Sequence, residues 1–236
     1  MVDVSRYRFG ATPSPPDKDL FGPLVATDPR GARVAVSEVA LVARFATMSP
    51  DEKRFAFLGI PQDHPVADFG IYVAGFHDKE SRKIVDVGLP RQRTYMDVTT
   101  NTMLDWAADS ENLLFSNEQT VSLVNASTGR VRKLADGGGA QGSPSSDWIS
   151  YITVKLQAAL LNIKTRETKL IDHGHEVIRE MEWSPDGKYL LIFEGEGSHV
   201  PYGCLWVYRV SDGAFVPIPY YGTGGPHPHW IRPGKL

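Results

Sequence analysis

An all-β chain built from repeated four-stranded antiparallel units is what this sequence predicts, and three observations carry that expectation. Apolar residues come in runs of four to six, often β-branched or aromatic, between clusters of Gly, Pro, Asp, Asn and Ser. No apolar stripe of helical period extends beyond ten residues. Finally, the phrase Trp183-Ser184-Pro185-Asp186-Gly187-Lys188, followed by the strand-like Tyr189-Leu190-Leu191-Ile192-Phe193, recurs along the chain. Repetition at a period of roughly 40 to 50 residues marks an array of one supersecondary unit.

The first copy is Met48-Ser49-Pro50-Asp51-Glu52-Lys53 before Arg54 to Leu58. The second is Trp106-Ala107-Ala108-Asp109-Ser110-Glu111 before Asn112 to Phe115, and the third Gly142-Ser143-Pro144-Ser145-Ser146-Asp147 before Trp148 to Ile152. A fifth copy, Trp230-Ile231-Arg232-Pro233-Gly234-Lys235-Leu236, stops where its second strand should start. Each unit reads as four strands, a to d. In the unit with the perfect copy these are Ile178 to Trp183, Tyr189 to Phe193, Leu205 to Val210 and Ala214 to Ile218. The second unit reads as Met103 to Trp106, Asn112 to Ser116, Val121 to Val124 and Arg130 to Leu134. In the third, Ile149 to Thr153, Ala158 to Asn162 and Thr168 to Ile171 follow Gly137 to Ser143, a glycine-rich stretch read as a tight connection between blades. The first unit supplies Phe55 to Leu58, Ile71 to Ala74 and Arg82 to Val87.

At the N-terminus, Val4 to Phe9 and the hairpin-like Leu24 to Val34 provide strands b, c and d for the truncated fifth copy. Radial repetition closed by both chain ends leaves only short sheet edges. The expectation is therefore a single-domain, five-bladed β-propeller of four-stranded antiparallel blades, closed by the C-terminal strand pairing with N-terminal strands. Its blades span about 42–88, 100–135, 138–172, 176–220, and 227–236 together with 2–38.

The Trp-Ser-Pro-Asp-Gly-Lys turn resembles the repeats of TolB-type propellers, which are WD-repeat-like in architecture, and of the propeller domains of prolyl-oligopeptidase-like enzymes. The resemblance implies the fold. It implies no chemistry, because the motif is a structural turn, and it does not carry over TolB's own partners. No Gly-x-Ser-x-Gly elbow occurs, so the hydrolase half of the peptidase architecture has no counterpart.

Composition narrows the function classes. Of 236 residues, 42% are hydrophobic and 22% charged, enough to bury a core. A net charge of -3 gives no basic footprint for nucleic acid, and no run of 18 apolar residues predicts a transmembrane segment. The first residues carry no signal-peptide pattern, so the chain as written is expected in the cytoplasm, or in the periplasm or outside the cell if an upstream signal has been removed.

Aligning the five turns places Thr47, Asp105, Gln141, Glu182 and His229 one residue before the Trp position, between apolar neighbours. Alternate side chains of a strand face opposite ways, so this pattern predicts a polar ring around the central channel. Such a ring could bind a small polar ligand or carbohydrate, or could simply solvate a channel. Tyr202 and Tyr221 fall on loops of the upper face, suited to a sugar or a protein partner. His173, His175, His227 and His229 are candidate ligands for a divalent metal such as Zn or Ca. The expected function is a non-catalytic binding or scaffold propeller that presents its top face and channel mouth to a protein or small polar ligand. The alternative is a small five-bladed enzyme, glycosidase-like or a metal-dependent lyase or hydrolase, using Asp105, Glu182 and His229.

Overall fold

The computed structural model describes residues 8–11, 22–27, 33–61, 69–75, 78, 81–87, 103–117, 119–171, 178–195, 203–218 and 230. Among them every regular element is a strand, every strand pairing is antiparallel, and no helix is long and apolar enough to cross a membrane. The six-stranded sheet joins, in order, β1 (Arg8–Ala11), β2 (Gly22–Thr27), β3 (Arg33–Met48), β4 (Arg54–Pro61), β5 (Gly70–Gly75) and β6 (Arg82–Asp86). Seven strands form the next sheet: β7 (Met103–Trp106), β8 (Asn112–Ser116), β9 (Thr120–Asn125), β10 (Val131–Gly142), β11 (Trp148–Thr153), β12 (Ala158–Asn162) and β13 (Thr168–Leu170). The last contains β14 (Ile178–Trp183), β15 (Tyr189–Gly195), β16 (Gly203–Arg209) and β17 (Phe215–Ile218).

Two long strands explain why three sheets hold more units than their number suggests. The first half of β3 pairs with β2 and its second half with β4, and β10 likewise passes from β9 to β11. Each is the outermost strand of one meander and the innermost strand of the next. The register shifts between Arg44 and Thr47 on β3 and between Gly138 and Gln141 on β10. Such bulges bend a strand and increase its twist, which lets one strand serve two sheets. The glycine-rich stretch from Gly137, read from the sequence as a tight connection between blades, makes that connection as paired strand. Glycine is needed there because a Cβ on Gly137 would stand 2.2 Å from the Ile152 carbonyl oxygen. At the N-terminus the hairpin pairs Thr27 with Arg33 as expected, and β1 covers Arg8–Ala11, residues 4–7 of the expected strand lying outside the described residues.

The core lies between neighbouring meanders. Ala56, Leu58, Ile71 and Val73 of the first pack on Leu104, Trp106, Leu113 and Val124 of the second. Leu114, Val121 and Leu123 meet Ile149, Tyr151 and Leu161 of the third, whose other face sets Leu160 and Ala158 against Met181, Trp183, Leu190 and Ile192. Strands buried on both faces read as continuous apolar runs rather than alternating ones, which is why Phe55 to Leu58 and Leu190 to Ile192 carry no polar break.

The repeated turn is held by its own side chains. Ser184 Oγ donates to Asp186 Oδ1 at 2.7 Å and accepts the Tyr189 N–H at 2.9 Å, and Ser49 repeats both bonds with Asp51 and Arg54 at 2.6 and 3.0 Å. The Ser184 hydroxyl and the Lys188 N–H hold the Asp186 carboxyl below the ordinary aspartate value. The residue after the aspartate has positive φ: 69° at Gly187, 60° at Glu52 and 57° at Ser110. Only glycine takes that conformation without a steric cost. Glu52→Gly is expected to stabilise the protein by about 0.5–1 kcal/mol, once the extra freedom of the unfolded glycine is subtracted, and so to raise the urea unfolding midpoint. Ser110→Gly should gain nothing, because Ser110 Oγ accepts the Asp51 N–H of the neighbouring turn at 3.0 Å.

Candidate binding site

Each innermost strand ends at its a-to-b turn, so the residue before the Trp position sits just inside that turn. Thr47, Asp105, Gln141 and Glu182 accordingly line one cavity of about 570 Å³, together with Glu52, Trp106, Trp183 and Trp230. The four described members of the predicted ring are thus brought together. They stand at the mouth flanked by the a-to-b turns, opposite the b-to-c and d-to-a connections to which the sequence reading assigned the upper face. Tyr202, Tyr221, His173, His175, His227 and His229 lie outside the described residues. No cluster of three metal-ligating side chains occurs among the described residues.

Asp105 occupies the wall rather than the lumen. Its Oδ1 accepts the Trp106 N–H at 2.8 Å and the Thr47 hydroxyl at 3.3 Å, and its Oδ2 accepts the Gly142 N–H at 2.9 Å. One carboxylate thereby ties together three consecutive meanders. Burial raises its pKa above the ordinary aspartate value, against the lowering effect of the Gly142, Trp106 and Thr47 hydrogen bonds. By contrast, among the described residues the Gln141 side chain of the ring makes no hydrogen bond, and Glu52, a turn residue at the mouth, makes neither a side-chain hydrogen bond nor an ion pair. All of these side chains keep partial contact with the cavity.

The repeated spacing of the turn tryptophans acquires a reason in the same place. Trp106 Nε1 donates to the Thr47 carbonyl at 3.2 Å, Trp183 Nε1 to the Gln141 carbonyl at 3.2 Å, and Trp230 Nε1 to the Glu182 carbonyl at 3.1 Å. Each indole caps the ring residue of the preceding meander, so the backbone of the polar ring is a chain of blade-to-blade hydrogen bonds. Gly142 takes the Trp position in the third copy and uses its backbone N–H on Asp105 instead. These indole bonds and the Asp105 clamp were missed by reading the sequence. The Trp spacing was visible, but an acceptor on a neighbouring backbone has no sequence signature.

No protein-family model matches the chain, and no curated protein matches it in sequence. Solved structures do. A chain of Agrobacterium tumefaciens assigned as a TolB superposes with a TM-score of 0.62 at 14% identity, over 83% of this chain and 73% of that one. TolB of Acinetobacter baumannii gives 0.61 at 12% identity, over 89% of this chain but 51% of its own length. An oligogalacturonate lyase in complex with manganese gives 0.56 at 12% identity, over 82% and 58% of the two chains. The fold is that of a TolB-type β-propeller, and at this identity the likeness concerns the fold alone.

Proposed function

We propose that the protein is a non-catalytic binding propeller of five blades whose central cavity receives a small polar ligand or a segment of a protein partner. The observation that carries this reading is the state of Asp105. A general acid, base or nucleophile needs a free lone pair or proton aimed at the substrate. Asp105 spends its oxygens on Trp106, Gly142 and Thr47. Among the described residues that leaves Gln141, Glu52, Glu182 and the polar rim facing the cavity, groups that can recognise a ligand by hydrogen bonds and charge.

Two features support the five-bladed closure. Trp230 repeats, on Glu182, the indole bond that two other junctions make. The first complete meander is also buried on its second face, where Phe57 stacks on Tyr72 with ring centroids 5.2 Å apart and Phe55 is fully covered. A neighbouring blade built from β1 to β3 and an innermost strand ending at Trp230 would cover that face.

The reading is tested by turnover. Purified protein, with and without added Mn²⁺, Zn²⁺ or Ca²⁺, is expected to leave polygalacturonate and a panel of nitrophenyl glycosides unchanged. Turnover that disappears in Asp105→Asn would overturn the non-catalytic assignment.

A further inference from the structure

We draw no further inference here: the strongest candidate, the exposed apolar side chains of Val154 and Leu156 in the turn between β11 and β12 and of Leu170 at the end of β13, carries nothing because no described residue or contact shows what covers them.

Discussion

Replacing Gly142 with alanine is expected to destabilise the protein by about 2–3 kcal/mol, a large effect for one added methyl group. A Cβ on Gly142 would lie 2.3 Å from the Trp106 carbonyl oxygen. Neither partner is a flexible side-chain end, so relief requires moving the backbone of one blade away from the next. That movement also lengthens the 2.9 Å bond from Gly142 N–H to Asp105. The repeat pattern points the other way, since three of the five copies carry Trp at this position. Gly142→Trp, which would restore the pattern, should therefore be worse than alanine rather than stabilising. Urea denaturation monitored by far-ultraviolet circular dichroism reads both. A Gly142→Ala midpoint indistinguishable from that of the unsubstituted protein would mean that the two backbones are not in contact.

Asp105→Ala should cost about 2–4 kcal/mol, because it strands two backbone N–H groups and a hydroxyl in a wall largely closed to water. Asp105→Asn should cost less, since its amide oxygen can still accept one of those bonds while its NH₂ faces another donor. Acidity separates the two roles of the group. The folded carboxyl titrates above the unfolded one through burial, so its contribution is fully present below the unfolded value, near 3.9, and is lost as pH rises through the folded value. The stability difference between the unsubstituted protein and Asp105→Asn should therefore be widest in acid and narrow toward neutral pH. A difference that widens from about pH 4 to 7 would show that the hydrogen bonds, not burial, dominate the carboxyl.

Much of the site was legible before any coordinates. Strict alternation around the Trp position singled out Thr47, Asp105, Gln141 and Glu182, and the four converge on one cavity because equivalent positions in a radial repeat face a common axis. Their roles were not legible. Asp105 and Glu182 look interchangeable in sequence, yet one is locked to three meanders while the other lines the lumen. The glycine-rich stretch was legible as a tight connection between blades but not as paired strand, because composition reports the absence of side chains, not the reason for it. Here the reason is a close backbone approach within a continuous strand.

By itself the sequence determined the repeated unit, its strands and turns, and the alternation that aims a polar residue inward, because these depend on neighbours within a few positions along the chain. Only the tertiary structure decided which mouth the ring guards, which carboxylate is structural, and why Gly142 replaces a tryptophan. Those depend on atoms brought together across blades, such as Thr47, Asp105 and Gly142, whose separation along the chain hides the hydrogen bonds between them.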